Sequence, residues 1–235
     1  MNGLRNRILE PEEMDDPSIS RGEHERALSG LARLNWISHA ASSIWGSLKI
    51  AGIDRKPGVV SFLDIATGGG DIPIKLALKA RQRDLNLNLA GADYSPVALS
   101  YARERANRAG VDVEWLRLDA LQGPIPSGYD FISCSLFLHH LGDEDVCGLL
   151  AKMSKAARRG IIINDLERSS INLALVWLGA HLLSRSPVVH RDSIRSVRAA
   201  FTLEEIDRLA LRAGLASAQI QRSFPCRYRL TWLKS

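Results

Sequence analysis

Three consecutive glycines stand between acidic residues in the run Leu63-Asp-Ile-Ala-Thr-Gly-Gly-Gly-Asp71. Glycines let the backbone approach a ligand closely, and a helix that begins there presents unpaired N–H groups. Asp64 and Asp71 flank this loop. Two carboxylates would repel a pyrophosphate but attract a ligand that carries an ammonium and a sulfonium. The charge pattern therefore favours S-adenosylmethionine (SAM) over a dinucleotide.

Two phosphate-binding motifs fit the loop poorly. A dinucleotide site needs G-x-G-x-x-G, and although Gly68 and Gly70 match, the third glycine position is Pro73. A P-loop needs a Lys-Ser/Thr pair after its glycines, and none follows here. Both comparisons argue against a nucleotide phosphate as the ligand of the loop.

Two further carboxylates end predicted strands. Asp93 stands 23 residues after Gly70 and can accept hydrogen bonds from both hydroxyls of a ribose. Asp119 follows the next predicted strand and is a candidate acceptor for an adenine amino group. A single aspartate of this kind is often a turn or helix cap. Four carboxylates at successive strand ends, around one glycine loop, favour a binding site.

The elements that position these residues alternate between short apolar runs and helical runs. This alternation predicts βαβ units and a Rossmann-like, doubly wound α/β fold with a mostly parallel seven-stranded sheet. The predicted strands are 59–65, 87–92, 113–118, 129–135, 160–164, 217–223 and 227–233, and the last two are expected to pair antiparallel. The predicted helices of the core are 72–82, 96–108, 144–157, 170–183 and 202–212.

The last of these helices has a capping box, since Thr202 is followed by Glu205. Residues 184–200 are expected to form an irregular basic insert. Apolar residues also recur at helical spacing between residues 21 and 50. We therefore divide the chain into an N-terminal helical lid (1–57) and a cofactor-binding core (58–235) with a helical and basic insert at about 166–200.

Taken in order, four motifs resemble those of class I SAM-dependent methyltransferases: Leu63 to Asp71, Asp93-Tyr-Ser, Leu118-Asp-Ala120 and Tyr129-Asp-Phe-Ile-Ser133. The resemblance runs from about Val59 to Leu233 and includes the antiparallel last strand. Ala66 stands where many members of the family have glycine. Members similar to the ubiquinone and menaquinone biosynthesis methyltransferases often have alanine at this position. The resemblance implies cofactor contacts from Asp64, Ala66, Thr67, Gly68, Gly69, Gly70, Asp71, Asp93, Tyr94, Asp119, Ala120 and Ser135.

The stretch Cys134-Ser-Leu-Phe-Leu-His-His-Leu141 is similar to the His-His-Leu segment of many small-molecule methyltransferases. It lacks the Asn/Asp-Pro-Pro-Tyr/Phe motif of enzymes that methylate nucleic-acid bases or glutamine, which argues against nucleic acid as the acceptor. His140 or His139 is the candidate general base, because imidazole titrates near neutrality. Alternatively, one of them caps the next helix or lines the pocket. The resemblance implies that His140, directly before leucine, faces the site.

The resemblance also implies that the N-terminal helices and the later insert cover the acceptor. Trp36, Trp177 and Leu178 would suit a lipophilic or aromatic acceptor, although each is also a candidate packing residue. The other polar or aromatic candidates in these regions are His24, Asn35, His39, His181, His190, Asp192, Ser193 and Arg198.

The composition is that of a globular protein, with 46% hydrophobic and 24% charged residues. The net charge is +5, and residues 181–235 hold ten Lys or Arg against four Asp or Glu. Such a basic third fits a solvated surface, or peripheral contact with nucleic acid, an anionic membrane or an acidic substrate. Three widely spaced cysteines fit a reducing cytoplasm and argue against a disulfide framework or a metal site. The longest apolar stretch, 171–183, is too short to span a bilayer.

Together these features predict SAM-dependent methyl transfer to an oxygen or carbon of a small aromatic, phenolic, quinone or polyketide-like acceptor. Two alternatives remain open at this point. One is methylation of RNA or protein, suggested by the basic C-terminal third. The other is a non-catalytic SAM-binding protein that keeps the fold.

Overall fold

A computed structural model describes residues 4, 6–11, 22, 40–54, 58–183 and 187–234. In these ranges a seven-stranded sheet is flanked by helices on both faces. The strands are β1 (Val60–Ile65), β2 (Leu87–Asp93), β3 (Glu114–Arg117), β4 (Phe131–Ser135), β5 (Gly160–Leu166), β6 (Gln219–Ser223) and β7 (Arg227–Leu233). The helices are α1 (Ala40–Ile50), α2 (Asp71–Arg81), α3 (Pro96–Ala109), α4 (Asp143–Ala156), α5 (Ser170–Leu183), α6 (Pro187–Ala199) and α7 (Leu203–Arg212).

The strand order is β3-β2-β1-β4-β5-β7-β6. The strands β1 to β5 pair in parallel, whereas β7 runs antiparallel to both β5 and β6. The predicted Rossmann-like, doubly wound sheet with an antiparallel last strand is therefore confirmed. The order of the chain reverses between β1 and β4, and open α/β sheets bind ligands beyond the carboxyl ends of the strands at such a point.

The central strands are apolar and buried on both faces. Phe62 of β1 packs with Ile44 and Leu76 from the side of α1 and α2, whereas Leu63 packs with Leu149 on the side of α4. Side chains alternate along a strand, so this run supplies a core to each layer. Burial on both faces fixes the register of β1 and hence the position of the glycine loop that follows it.

Local sequence signals set the helix ends near the site. The Ser95 hydroxyl caps α3 and accepts a hydrogen bond from Ala98 N at 3.2 Å. The predicted capping box of α7 is present, because Thr202 and Glu205 satisfy each other's backbone N–H groups. Residues close in the sequence therefore define where α3 and α7 begin.

One prediction for the C-terminal half was wrong. The segment predicted as an irregular insert contains the helix α6, which begins with Pro187 in its first turn. Its buried face includes Asp192 and Ser196 beside Val189 and Val197. Seven of its 13 residues are polar or charged, so the segment offers few apolar residues on which to base a helix prediction.

Other differences concern boundaries. Four predicted strands are shorter than expected, since β1 begins at Val60, β3 spans only Glu114–Arg117, β4 begins at Phe131 and β6 begins at Gln219. Of the predicted N-terminal helices, α1 is described. The lid candidates His24, Asn35, Trp36 and His39 lie outside the described residues.

Candidate active site

The glycine loop after β1 is tied to the end of β2 by a carboxylate. Gly68 N donates to Asp93 Oδ2 at 2.8 Å, and Ser95 N donates to Asp93 Oδ1 at 2.9 Å. Thr67 N also donates to the Ala92 carbonyl at 3.0 Å. Asp93 therefore holds the loop and the start of α3 together, at the strand end where the sequence placed a ribose acceptor.

A tryptophan packs beneath this loop. A methyl group at Gly70 would lie 2.5 Å from Cη2 of Trp115, and one at Gly91 would lie 2.6 Å from its Cζ3. Gly70 also has a left-handed backbone, with φ of +73°. On its other side the loop is open, because a Cβ at Gly68 would meet nothing within 4 Å. The backbone of the loop thus packs against the Trp115 ring on one side, and on the other side its backbone is accessible to a ligand.

Asp64 lies inside the sheet below the loop. Its carboxylate accepts hydrogen bonds from Thr67 Oγ1 at 2.8 Å and from Ser133 Oγ. Burial raises the pKa of Asp64 from the ordinary 3.8 to about 7, and the two hydroxyl hydrogen bonds oppose that rise. A carboxyl group in this state gains its negative charge readily when a cation binds nearby.

Asp71 begins α2 and is paired with a cation from α3. Arg105 donates to Asp71 Oδ1 at 2.7 Å and to the Gly69 carbonyl at 2.6 Å. These two bonds link the glycine loop to α3 through one planar guanidinium. Because Arg105 balances the charge of Asp71, the negative charge of the site comes mainly from Asp64 and Asp93.

The contacts of Arg105 lead to a testable prediction. Changing Arg105 to leucine should weaken SAM binding about tenfold, because two charge-assisted bonds that order the loop are lost. Calorimetric titration with SAM measures the change. Arg108→Leu on the exposed face of the same helix is the matched control and should bind like wild type. Equal affinities of the two variants would show that the loop is ordered without Arg105.

The remaining predicted cofactor contacts lie around the same edge of the sheet. Asp119 accepts hydrogen bonds from Leu121 N and Gln122 N, both at 3.0 Å, so part of its carboxylate closes a turn. Ala120 is buried and Tyr94 is exposed. Ala66 has φ of +52°, a left-handed conformation that costs alanine about 1–2 kcal/mol more than glycine.

The histidines lie in a short 3-10 turn, Leu138–His140, that follows β4. His139 is buried and its Nδ1 lies 2.6 Å from Asp165 Oδ1. His140 is half-buried, and its ring centroid lies 4.3 Å from that of His139. The structure therefore gives the two neighbours different settings, one anchored inside the protein and one nearer to solvent.

Asp165, near the carboxyl end of β5, holds this turn from below. Besides His139, its carboxylate accepts from Phe137 N at 3.1 Å, Leu138 N at 2.7 Å and Leu166 N at 2.7 Å. Burial alone would raise the pKa of Asp165, but the charge of His139 and these hydrogen bonds outweigh it and hold the pKa below its ordinary value. Asp165 is thus an ionised, fully buried acceptor.

An arginine near the N-terminus closes the turn from the other side. Arg7 Nη2 donates to the carbonyls of His139 at 3.1 Å and Leu141 at 2.7 Å, and its Nε donates to Ala199 at 2.6 Å. Its guanidinium also lies 3.6 Å from the ring centroid of Phe201. Arg7 therefore joins the histidine turn to the end of α6.

The residues present fit SAM. Ser135 Oγ, at the carboxyl end of β4, is buried and has no hydrogen-bond partner in the part of the chain that the structure describes. The open face at Gly68 and the carboxylates of Asp93 and Asp64 lie at the same edge of the sheet. Of the site residues, sequence reasoning missed Arg7, Arg105, Trp115, Ser133 and Asp165. Asp165 alone left a signal, because it is a carboxylate at the end of an apolar strand, like Asp64 and Asp93.

Residues 62–160 match the family described as "Methyltransferase domain". The fold is the one that class I SAM-dependent methyltransferases have, and the matched domain together with the residues of the site supports SAM as the cofactor. Among its relatives, the demethylmenaquinone methyltransferase of Thermus thermophilus is 33% identical over 103 residues, 43% of this chain and 45% of that protein. The ubiquinone/menaquinone biosynthesis C-methyltransferase of Rickettsia massiliae is 29% identical over 101 residues, 40% of this chain and 41% of that protein.

The chain therefore spans less than half the length of the curated relatives it matches. Among solved structures, magnesium protoporphyrin IX methyltransferase from Synechocystis PCC 6803 with bound SAH has a TM-score of 0.58 and 17% identity. The superposition covers 94% of this chain and 90% of that one. At 17% sequence identity, this structural similarity supports a shared fold and no more.

Proposed function

We propose that this protein transfers the methyl group of SAM to an oxygen or carbon of a small aromatic, phenolic, quinone or polyketide-like acceptor. The observation that carries the proposal is the pairing of two features at one edge of the sheet. The glycine loop of Asp64 and Asp93 follows β1, and the histidine turn anchored by Asp165 follows the adjacent strand β4. A methyl donor and a proton acceptor would thus meet across the switch point of the sheet.

In this proposal His140 is the general base and His139 supports it. SAM supplies a methyl group already activated on a sulfonium, so the protein has to align the acceptor and remove its proton. His140 is the more accessible of the two imidazoles. His139, held by Asp165 and by Arg7 through its carbonyl, fixes the turn that carries His140.

Support for a small acceptor comes from the relatives, whose names refer to menaquinone and ubiquinone biosynthesis. The arginines of the C-terminal third also favour a small acceptor over RNA. Arg168 pairs with Glu205 at 2.6 Å, and Arg222 pairs with Glu167 at 2.9 Å. Arg227 is buried and donates to a side chain of β5. These three guanidiniums are engaged by groups of the protein itself, which makes them poorer phosphate ligands. The cysteine content fits the predicted cytoplasmic location, which stays a prediction.

The proposal is tested by incubating the protein with methyl-labelled SAM and a panel of phenols, naphthols and hydroquinones. We expect label in at least one acceptor class. His140→Ala should lower kcat about a hundredfold while the Kd for SAM stays within a factor of about two, because a general base acts on the acceptor and not on SAM. Lys155→Ala, at an exposed position in the last turn of α4, is the control. Normal SAM binding without transfer to any acceptor would favour the non-catalytic alternative.

A further inference from the structure

The helix α5 carries an exposed apolar stripe on one side. Ile171, Leu175, Leu178 and Leu182 are spaced by four, three and four residues, so they share one face of the helix. Ile171 is 71% exposed and Leu182 is 74% exposed. Trp177, also exposed, stands beside this stripe. Large apolar side chains on a continuous surface of this kind usually mark a site of interaction.

The exposed charged side chains on α5 and α6 are all positive. The 14 residues of α5 include no Asp, Glu, Lys or Arg. Residues 169–200 as a whole contain four arginines and a single acidic residue, Asp192, which is buried and pairs with Arg195 at 3.2 Å. The exposed charged side chains of α6 are Arg191 and Arg198. An uncharged apolar helix is thus accompanied by a helix whose exposed charges are positive.

The two helices form one unit. The rings of His181 and His190 stack with centroids 4.1 Å apart, and Trp177 packs on His181 at 4.6 Å. The inner side of α5 packs on α6, where Leu173 and Val176 contact Val197. The apolar stripe and the arginines therefore keep a fixed relation to each other.

We propose that α5 and α6 dock this protein on a bilayer that contains anionic phospholipid, with α5 lying in the interface. A helix with exposed apolar residues, an interfacial tryptophan and arginines on a neighbouring helix can bind lipid through apolar burial plus attraction to anionic headgroups. At about 21 Å, α5 is shorter than the hydrocarbon core of about 30 Å. No helix among the described residues is long and apolar enough to cross a membrane.

Docking in this way would orient the active site. The helix α5 begins shortly after β5, whose carboxyl end carries Asp165 and supports the histidine turn. The edge of the sheet that binds the cofactor would then face the bilayer, from which a lipophilic acceptor can be drawn. The docking proposal does not depend on methyl transfer, because binding to vesicles is measured without SAM or acceptor.

The test is co-flotation of the whole chain with vesicles of phosphatidylcholine and phosphatidylglycerol in equal parts. We expect binding, and binding at least about tenfold weaker for Ile171→Ser/Leu182→Ser, since two exposed apolar anchors are lost. The matched control is Ile50→Ser/Leu211→Ser, which removes two exposed apolar residues from other helices and should bind like wild type. Wild-type binding by the α5 variant, or no binding by the native protein, would overturn the proposal.

Charge is tested separately on the same vesicles. Arg191→Gln/Arg198→Gln should bind at least about fivefold more weakly, whereas Arg103→Gln/Arg108→Gln on α3 should bind like wild type. Light scattering tests the alternative that a second copy of the chain, and not lipid, covers the apolar stripe. A dimer that dissociates in the α5 variant and does not bind vesicles would assign the stripe to self-association and overturn the lipid proposal.

Discussion

Replacing Asp165 by alanine is expected to lower the free energy of unfolding by about 3–5 kcal/mol, because the change breaks a buried ion pair. Three buried backbone N–H groups, those of Phe137, Leu138 and Leu166, would lose their acceptor at the same time. The ring of His139 would lose the partner that fixes its orientation. Urea unfolding followed by circular dichroism measures the loss.

Asp165→Asn is a smaller change at the same position. Its amide oxygen can still accept from Phe137 N and Leu138 N. Its amide nitrogen then faces His139 Nδ1 and Leu166 N, and these two donors lose their acceptor. We expect methyl transfer to fall about a hundredfold with SAM affinity unchanged, because Asp165 touches the turn and not the glycine loop. Asp130→Asn, at the amino end of β4, is the control.

The pH dependence of this pair has a definite sign. The pKa of Asp165 is lower in the folded protein than its ordinary value of 3.8. Its contribution to stability is therefore present above pH 4 or so and is lost as the pH falls through the folded-state pKa. The stability advantage of wild type over Asp165→Asn should shrink in acid. An advantage that is constant between pH 7 and strongly acidic pH would contradict the ionised state of Asp165.

The pH dependence that Asp64 produces has the opposite sign. The pKa of Asp64 is about 7 in the folded protein, compared with an ordinary value of 3.8. Between these two pH values the folded protein therefore keeps a proton on Asp64 that the unfolded chain has lost. The stability that this proton provides is fully present below pH 3.8 and lost as the pH rises through 7, a total of about 4 kcal/mol. The contribution of Asp64 should therefore make the cofactor-free wild type less stable at pH 8 than at pH 5.

Asp64→Asn removes this dependence. Asparagine can satisfy both Thr67 and Ser133, because a hydroxyl group can accept as well as donate. The stability of Asp64→Asn relative to wild type should rise by about 2–3 kcal/mol between pH 5 and pH 8. The same variant should bind SAM at least about tenfold more weakly, since a negative charge of the site is lost. Asp130→Asn is again the control, and a difference in stability that does not change with pH would refute the raised pKa.

The succession of strands and helices along the chain, the glycine loop and the capping box of α7 were predictable from the sequence, because each depends on residues close together in the chain. An apolar run that ends in glycine defines a strand and its loop within about ten residues. Parallel strands end at the same edge of a sheet, so the carboxylates that follow them were expected to cluster.

The side-chain partners were not predictable, because packing brings them together from distant parts of the chain. Arg105 is 34 residues from Asp71, and Asp165 is 26 residues from His139. Arg7 reaches the carbonyl of a residue 132 positions away. No local pattern encodes such contacts, since each depends on the register of two elements against a third. The helix α6 was missed for a different reason, since seven of its 13 residues are polar or charged and the segment was therefore interpreted as an irregular insert.

The position of β7 in the sheet has a consequence for how the chain is synthesised. This strand follows every other strand in the chain, yet it lies between β5 and β6 and contributes the buried side chains of Tyr228 and Leu230. While the ribosome is still translating residues 227–233, β5 has an unpaired edge and β6 has no neighbour. The nascent chain therefore has to keep an apolar strand edge from aggregating until β7 has been synthesised, and a chaperone that binds such edges would act at that stage.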